Sequence, residues 1–465
     1  MHKSRLIIII SLLFLPELSL IHAENKLDTK AQEWIPLFNG EDLQGWKKVG
    51  GEAKYIVNNG EIVGTTIANT PNTFLCTKET FDDFILEFEF FVNPDINSGV
   101  QFRSIIDRNN DMGGVTGYQF EIDPSSRAFS GGIYDEARRG WLYPLSRNLK
   151  GQKAINNGRW NRCRIEAIGP SIRTWINDIQ CSNLTDEVGS SGVIALQVHS
   201  VLPQHANKTV RWRNIFIKTD NLESERIRSD PEVPELSYLI NKLSTGEIRR
   251  GWRLLWDGKT SKGLKTINGD SFAESDWAIK NGVLTIHGAD KVNERPVDII
   301  TEDLYSRFEL ELQFMIGKGA NSGIKYFVDP NLIANEGKAI GPEFQILDDA
   351  VHPDAKLGVK GNRTLGSLYD LIPAVNISVP GRAKQFKGIE KWNNARIVVN
   401  NGHVSHWLNN EKVVEYDRDS QIFKTLISYS KYKNWSAFGQ LPEGYILLQD
   451  HGNTVHFRSI KIKEY

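Results

Sequence analysis

An internal repeat is the feature that most constrains the fold of this chain. The segment 37–46, LFNGEDLQGW, returns as LLWDGKTSKGL at 254–264. The run 81–102 returns at 305–326, including an identical Asn-Ser-Gly, and further matching blocks follow in the same order. Self-similarity that extends over whole blocks indicates a duplicated structural unit. The sequence therefore predicts two copies of one module.

The repeat also predicts the domain boundaries. We expect a first module over 32–218, a connecting segment over 219–250 and a second module over 251–465. The connecting segment is polar and charged, contains prolines, and shows a short helical pattern at 236–243. It is therefore interpreted as a linker with a short helix.

Within each module, hydrophobic and polar residues alternate along short runs. The runs 84–92 and 308–316 show this period of two, which is typical of strands with one buried face. Asn-Gly pairs such as Asn59-Gly60 and Asn281-Gly282 stand between such runs and favour tight turns. Many short strands separated by turn signals predict an all-β fold, in which each module is a jelly-roll sandwich of two antiparallel sheets.

The N-terminus has the pattern of a signal peptide over residues 1–23. Lys3 and Arg5 precede an apolar stretch from Leu6 to Leu15, and Ala23 marks a candidate cleavage site. No cysteine follows that would carry a lipid anchor, and no apolar stretch is long enough to span a bilayer. We therefore expect a periplasmic or secreted protein without a transmembrane segment.

Charge and motifs exclude several function classes. The formal net charge of −1 gives no reason to expect binding to nucleic acid. Gly-rich phosphate loops and the HExxH and GxSxG motifs are absent from the sequence, so no cofactor is required. Cys76, Cys163 and Cys181 are interpreted as buried apolar residues or as one disulfide with a remaining thiol. The sequence leaves the oligomeric state open.

Strand alternation predicts which polar side chains share a sheet face. Tyr118 and Phe120 would point into the core, so Gln119 and Glu121 would face outward. The same rule yields the outward-facing residues Arg103 and His199 in the first module, and Lys325, Glu343, Gln345, Gln449 and His451 in the second. Such a face could bind a sugar through hydrogen bonds, and the alternative is a solvated face without a ligand.

Two loops carry more polar and aromatic residues than a structural turn requires. The first loop, 131–144, contains Tyr134, Glu136, Arg138 and Trp141. The second loop, 347–370, contains Asp348, His352, Lys356, Arg363, Tyr369 and Asp370. Loops on a rigid scaffold often carry binding and catalytic groups, although aromatic rings also pack without a ligand. Asp348 and His352 are the candidate ligands of a divalent cation.

Ordered sequence blocks recur in each module. The second module contains GPEFQILDD, HPDAK, GNRTLGSLYDL and LQDHG. The first module contains GYQFEID, GGIYDEARRGW and WNRCRIEA. Taken together, these motifs resemble the 3-keto-disaccharide hydrolase family. The resemblance implies a concanavalin-like or laminin-G-like sandwich. It also implies an exported enzyme that cleaves glycosides whose sugar has been oxidised to a ketone at carbon 3.

The implied chemistry requires a base, a partner for an enolate and an acid. A ketone at carbon 3 acidifies the proton on carbon 2, so a base removes it, the substituent on carbon 1 leaves, and water adds. In the second module the candidates are Glu343 or His352 as base, Lys356, Arg363 or a cation as enolate partner, and His451, Tyr369 or Asp370 as acid. In the first module they are Glu121 or Asp123, then Arg103 or Arg138, and then His199 or Tyr134.

We expect the second module to be catalytic because it carries the fuller set of these groups. The remaining outward-facing and loop residues of both modules are candidate substrate-binding groups for a carbohydrate. Two alternatives use the same fold without turnover, namely a pair of carbohydrate-binding modules and a structural or interaction protein.

Overall fold

The computed structural model describes residues 34–107, 109–287, 296–332, 339–435 and 437–465. The signal peptide predicted for residues 1–23 lies outside the described residues. From Trp34 to Tyr465 the chain forms one compact unit. In the part of the chain that is described, no helix is long and apolar enough to cross a membrane.

The chain is built almost entirely of short strands. Residues up to the middle of the chain form β1 (Ile35–Pro36), β2 (Trp46–Gly50), β3 (Lys54–Asn58), β4 (Glu61–Thr65), β5 (Thr73–Thr77), β6 (Phe84–Val92), β7 (Ser98–Ile106), β8 (Val115–Ile122), β9 (Ile133–Glu136), β10 (Gly140–Tyr143), β11 (Asn161–Ile168), β12 (Ser171–Ile176), β13 (Ile179–Thr185), β14 (Val193–Val198), β15 (Thr209–Lys218) and β16 (Leu236–Ser237). The later residues form β17 (Trp252–Leu254), β18 (Leu264–Thr266), β19 (Trp277–Lys280), β20 (Val283–Ile286), β21 (Ile299–Thr301), β22 (Phe308–Ile316), β23 (Asn321–Val328), β24 (Glu343–Leu347), β25 (Asn393–Asn400), β26 (His403–Leu408), β27 (Glu411–Asp417), β28 (Tyr445–Leu448) and β29 (Val455–Glu464). The α-helices are α1 (Leu222–Glu225), α2 (Thr245–Arg249) and α3 (Gln421–Ser428), and 3-10 turns lie at Leu145–Arg147, Gly151–Lys153, Pro203–His205 and Pro353–Lys356.

The first module is a sandwich of two sheets. Sheet A runs β16-β13-β12-β11-β6-β15-β4-β3, with β1 beside β15, and sheet B runs β10-β9-β8-β7-β14-β5-β2. The apolar sides of the two sheets meet in one core. In that core the rings of Phe88 in sheet A and Phe120 in sheet B pack edge to face with centroids 5.4 Å apart.

The second module repeats this arrangement. Sheet C runs β19-β20-β29-β22-β25-β26-β27, with β17 beside β29, and sheet D runs β18-β21-β28-β23-β24. Its own core lies between the two sheets, where the Tyr326 hydroxyl lies 2.9 Å from His406 Nε2 and 2.8 Å from the Tyr416 hydroxyl. The central strands β7, β8 and β14 of sheet B correspond to β23, β24 and β28 of sheet D. The predicted fold, two tandem jelly-roll β-sandwiches, is therefore confirmed.

The tight turns predicted from the Asn-Gly pairs are also present. Asn59 and Gly60 join β3 to β4 with φ values of 51° and 74°, and Asn281 and Gly282 join β19 to β20 with 53° and 76°. Positive φ at both central residues matches the twist of a tight hairpin, and Asn-Gly adopts it at little steric cost.

The connecting segment 219–250 differs from its prediction. The helical pattern at 236–243 does not form a helix, because Leu236 and Ser237 form β16 and pair in parallel with β13. Helices occur instead as α1 and α2, where Ser244 and Glu247 form a capping box. Burial of Leu236 in the core of the first module outweighs the local helical pattern.

The connecting segment is also packed against both modules. The Tyr238 hydroxyl donates to the carbonyl oxygen of Leu142 at 2.9 Å and accepts from Asn410 Nδ2 at 3.0 Å. Arg147 of the first module lies against Glu309 and Glu311 of the second, with N to O distances of 3.7 and 3.4 Å. These contacts place the two modules within one compact unit.

Candidate functional site

The outward face of sheet D forms a cavity of about 320 Å³, which we call the second cleft. The predicted residues that line it are Lys325, Glu343, Gln345, Tyr369, Gln449 and His451. They come from β23, β24, the end of β28 and the loop 347–370. Alternation on β24 explains this grouping, because Phe344 and Ile346 enter the core while their neighbours face the cleft.

Glu343 lies on the floor of the second cleft and is only 4% exposed. Its strand neighbour Lys325 faces it directly across β23 and β24, and Gln345 is placed to donate to its Oε1 at 3.2 Å. Burial raises the pKa of Glu343, against the lowering effect of Lys325 and Lys431. Gly323 underlies the carboxylate, and a methyl group there would collide with it.

The wall of the second cleft combines aromatic rings with an amine. Lys431 Nζ lies 4.1 Å from the ring centre of Tyr369 and 5.1 Å from that of Tyr432. Burial lowers the pKa of Lys431, and Glu343 opposes this shift. Trp435 completes the wall. The cleft therefore places a buried carboxylate, two amines and aromatic surface around one space.

Several predicted loop residues lie outside the lining of the second cleft. Arg363 bridges Asp354 and Asp370 at 3.0 and 2.7 Å, and Asp354 also accepts from the Tyr369 hydroxyl at 2.7 Å. Arg363 and Asp370 therefore hold Tyr369 in place and do not line the cavity. Burial, followed by this hydrogen bond to Asp354, raises the pKa of Tyr369.

The candidate base His352 and the candidate enolate partner Lys356 do not line the second cleft either. His352 caps the 3-10 turn Pro353–Lys356, where its Nδ1 accepts from the backbone nitrogen of Asp354 at 3.2 Å. Lys356 is exposed at the end of that turn. Alternation could not predict these positions, because a loop has no fixed side-chain period.

Asp348 and His352, the predicted metal ligands, make hydrogen bonds within their own loop. Asp348 accepts from the backbone nitrogens of Gly319 and Ala350 at 2.8 and 3.2 Å, so its carboxylate organises its own turn. Among the described residues, no group of three or more His, Cys, Asp or Glu side chains is arranged to hold a metal ion. Asp348 and His352 therefore do not form a site with the ligand number that a divalent cation normally needs. Cys76, Cys163 and Cys181 are buried and unbridged.

The outward face of sheet B forms a larger cavity of about 430 Å³, which we call the first cleft. The predicted residues that line it are Gln119, Glu121, Tyr134, Glu136, Trp141 and His199. Its opposite wall comes from the second module and consists of Arg382, Gln385, Phe386, Lys387, Asn409 and Glu411. The first cleft is therefore shared by both modules.

Glu121 is held firmly on the floor of the first cleft. Asn97 Nδ2 and Arg127 Nη2 donate to its Oε1 at 2.7 and 3.1 Å, and Gln119 Nε2 donates to its Oε2 at 2.9 Å. Burial raises the pKa of Glu121, whereas Arg127 lowers it. With both oxygens occupied by donors, Glu121 is suited to positioning its neighbours.

Glu136 is a second buried carboxylate in the first cleft. It is 3% exposed, and Asn72 Nδ2 donates to its Oε1 at 3.1 Å. Burial, together with the nearby charge of Glu121, raises the pKa of Glu136 to about 7. A carboxyl with this pKa exchanges protons readily near neutral pH.

Two arginines predicted for the first cleft do not line it. The register of β7 shifts after Phe102, and Arg103 adopts a φ of 46°. Its guanidinium turns away to donate to the carbonyl oxygen of Asp82 at 2.6 Å and to Asp83 Oδ1 at 2.7 Å. Arg138 pairs with Asp135, and the next residue, Arg139, lines the cleft in its place.

Several lining residues occupy equivalent positions in the two clefts, because the two modules are copies of one sequence. Asn97, Tyr134 and His199 of the first cleft correspond to Asn321, Tyr369 and His451 of the second. The carboxylate occupies a different strand position in each cleft. Gln119 corresponds to Glu343, and Glu121 corresponds to Gln345, so the glutamate of the second cleft lies two residues earlier on its strand.

Several other lining residues were not among the predicted site residues. The Asn of Asn-Ser-Gly is identical in the two copies, and this identity is a sequence signal for its position in both clefts. No sequence signal pointed to Arg127, Lys431, Tyr432, Trp435 or the second-module wall of the first cleft. They reach the clefts through loops and through packing between modules.

Comparison with known proteins identifies the family. The model of the 3-keto-alpha-glucoside-1,2-lyase-like domain matches residues 33–218 and 251–463. A 3-keto-disaccharide hydrolase of Bacteroides thetaiotaomicron is 36% identical over 234 residues, which cover 46% of this chain and 78% of that protein.

Two crystal structures from Parabacteroides distasonis ATCC 8503, each described as a candidate glycosyl hydrolase, also match. The first is 30% identical, covering 49% of this chain and 99% of that chain with a TM-score of 0.42. The second is 26% identical, covering 46% and 99% with a TM-score of 0.33. Because the family model matches both modules, the chain belongs to the 3-keto-alpha-glucoside-1,2-lyase-like domain family and carries two tandem copies of that domain.

Proposed function

We propose that this protein cleaves glycosides whose sugar has been oxidised to a ketone at carbon 3, and that the second cleft is its main reaction centre. The observation that carries the proposal is the buried carboxylate of Glu343, which lies opposite Lys325 in a cleft that also contains Lys431. The relative named 3-keto-disaccharide hydrolase supports the substrate class.

Each step uses groups that line the second cleft. Glu343 takes the proton from carbon 2, and the resulting enolate charge on the carbon 3 oxygen is balanced by Lys325 or Lys431. The bond between carbon 1 and the aglycone oxygen then breaks, and His451 supplies the proton to the departing oxygen. Addition of water restores hydrogen at carbon 2 and places a hydroxyl on carbon 1, so the net reaction is hydrolysis.

The raised pKa of Glu343 suits this role. A carboxylate in bulk water is a weak base, whereas burial makes the ionised form of Glu343 a stronger proton acceptor. Lys431 has a pKa lowered by burial, so it exchanges its proton more readily than an exposed lysine. The aromatic rings of Tyr369, Tyr432 and Trp435 offer surface for the apolar face of a sugar ring.

The first experiment tests the requirement for the ketone. Purified protein is incubated with methyl 3-keto-α-glucoside and with unoxidised methyl α-glucoside, and the products are separated by chromatography. We expect cleavage of the keto form alone, with exchange of the carbon 2 proton for deuterium in deuterated water. Equal cleavage of both sugars contradicts the elimination mechanism, and binding without cleavage indicates a carbohydrate-binding protein.

The second experiment tests the base. Glu343→Gln keeps the size of the side chain but removes the proton acceptor, so we expect the rate to fall about a hundredfold or more. Glu302→Gln, an exposed glutamate of the same module, serves as the control. The matching change Glu121→Gln is expected to cost less. A folded Glu343→Gln variant with the wild-type rate would exclude Glu343 as the base.

Export and the absence of a cofactor are part of the same proposal. The pattern of residues 1–23 supports secretion or a periplasmic location, which N-terminal sequencing of the mature protein tests directly. The reaction as written needs no cofactor, so we expect activity to survive treatment with EDTA. If EDTA abolishes activity and added Mg²⁺ or Ca²⁺ restores it, a bound cation would instead balance the enolate charge.

A further inference from the structure

The first cleft is unusual because its far wall belongs to the other module. That wall is held by contacts within the second module: Arg382 Nη1 donates to Glu411 Oε1 at 2.8 Å, and Asn409 Nδ2 donates to the carbonyl oxygen of Gln385 at 2.6 Å. Phe386 and Lys387 from the same segment face the cavity. The second module thus presents a pre-formed surface to the cleft of the first.

The charges of the first cleft are arranged mostly in pairs. Arg127 pairs with Glu121 at 3.1 Å, Arg139 pairs with Asp135, and Arg382 pairs with Glu411 at 2.8 Å. Paired charges hold many fixed hydrogen-bonding groups without a strong net field, which suits a neutral polyhydroxy ligand such as a sugar. Trp141 and Tyr134, with ring centres 5.2 Å apart, add aromatic surface.

Lys387 stands apart from these pairs. In the described residues no carboxylate lies within ion-pair distance of its Nζ, which is 5.9 Å from the ring centre of Tyr238. Burial, together with Arg139, lowers the pKa of Lys387 to about 8. Because this amine has neither an ion pair nor a side-chain hydrogen bond among the described residues, it is available to a ligand at the cavity wall.

Glu136 also has no equivalent in the second cleft. The segment GGIYDE of the first module corresponds to GSLYDL of the second, so Leu371 stands where the first module has Glu136. Tyr134 precedes it on β9 and faces the same cavity. The first cleft therefore contains a buried carboxylate of its own, on β9, whereas Glu343 lies on β24.

We propose that the first cleft is a second reaction centre for 3-keto-glycosides, in which Glu136 is the base and Lys387 of the second module binds the aglycone side. This inference rests on the function proposed above, because it assumes the same substrate class. The site is complete only in the tandem chain, since a first module alone lacks the wall that carries Lys387.

The reaction at this centre is balanced without a cofactor. Glu136 takes the proton from carbon 2, and the electron pair of that bond leaves a negative charge on the carbon 3 oxygen, near Arg127. As the bond from carbon 1 to the aglycone oxygen breaks, a double bond forms between carbons 1 and 2, and the proton held by Glu136 passes to the departing oxygen. One water molecule then adds across the double bond.

The test measures residual activity in the Glu343→Gln background of the full chain. We expect Glu136→Gln to lower the remaining cleavage of methyl 3-keto-α-glucoside at least tenfold further, whereas Glu79→Gln, an exposed glutamate, leaves it unchanged. Unchanged residual activity in the folded double variant overturns the inference. If the wild type cleaves no keto sugar, the proposed function itself fails, and the two failures are therefore distinguishable.

A second measurement addresses the wall from the second module. Lys387→Met removes the amine but keeps the length of the side chain, so we expect a higher KM for a 3-keto disaccharide in the Glu343→Gln background with kcat nearly unchanged. Lys391→Met, an exposed lysine nearby in the chain, is the control. An unchanged KM, or an equal change in the control, overturns the role of Lys387.

Discussion

Glu136→Gln is expected to stabilise the protein at alkaline pH while leaving its stability at acid pH unchanged. The folded protein raises the pKa of Glu136 from an ordinary 4.5 to about 7, because the carboxyl is buried and lies near Glu121 and Asp135, with Asn72 as a weaker opposing donor. Below pH 4.5 the side chain is protonated in both folded and unfolded states. As the pH rises from 4.5 through 7, ionisation favours the unfolded chain, so stability is lost.

The size of this effect follows from the pKa. Each tenfold change in proton affinity corresponds to 1.36 kcal/mol, so a shift from 4.5 to about 7 costs the folded state about 3 kcal/mol at pH 8. Glutamine has nearly the same shape, still accepts the hydrogen bond from Asn72, and cannot ionise. The variant should therefore be more stable than the wild type by about this amount at pH 8 and by almost nothing at pH 4.

Thermal unfolding at pH 4 and pH 8 measures the difference. A gain of about 3 kcal/mol should raise the Tm by about 3 °C at pH 8, because the entropy of unfolding of a compact unit this size is about 0.9 kcal/mol per kelvin. Glu79→Gln, at an exposed glutamate, should show no such pH dependence. An equal change in Tm at both pH values, or a lower Tm at pH 8, would show that Glu136 is not held in a site that disfavours its charge.

Three further predictions concern the floor of the second cleft and the ion pairs between the two modules. Gly323→Ala should lower the rate about a hundredfold in a steady-state assay, because its methyl group displaces the carboxylate of the second cleft, whereas Gly317→Ala has open space and should not. Arg147→Met should lower the free energy of unfolding by about 1 kcal/mol, because it removes one cation from the buried carboxylates of Glu309 and Glu311, which keep Arg396 and Lys461 nearby. The exposed Arg162→Met should change it little. Burial alone would raise the pKa of Glu311, but surrounding basic groups, Arg147 among them, hold it at about 2. The stability from this pairing is therefore present above pH 4.5 and lost as the pH falls towards 2, so denaturant midpoints of Glu311→Gln should depend less on pH in that range.

Most of the floor of each cleft could be predicted from the sequence, because strand alternation is a local property. Glu121, Glu343 and Gln345 follow from the period of two on β8 and β24, and the structure places them as expected. The same rule failed at Arg103, where a register shift turns the side chain away. A bulge of this kind depends on strand pairing, which the local pattern does not contain.

For the loops, the sequence predicts the residue composition but not which side chains reach a cavity. The sequence shows that 347–370 is rich in charged residues, but Arg363 and Asp370 serve to hold Tyr369, and Lys356 is exposed. Which loop side chain reaches a cavity depends on turn geometry and on partners that are distant in sequence, such as Lys431.

By itself, the sequence determined the duplication, the all-β class and the outward faces of the central strands, because each rests on periodicity or on direct identity between the copies. The tertiary structure alone decided that the first cleft is shared between modules, since Lys387 lies about 250 residues after Glu136 and reaches the same cavity only through packing. It also decided the proton affinities of Glu136 and Lys387. Burial and neighbouring charges set these affinities, and both are properties of the assembled fold.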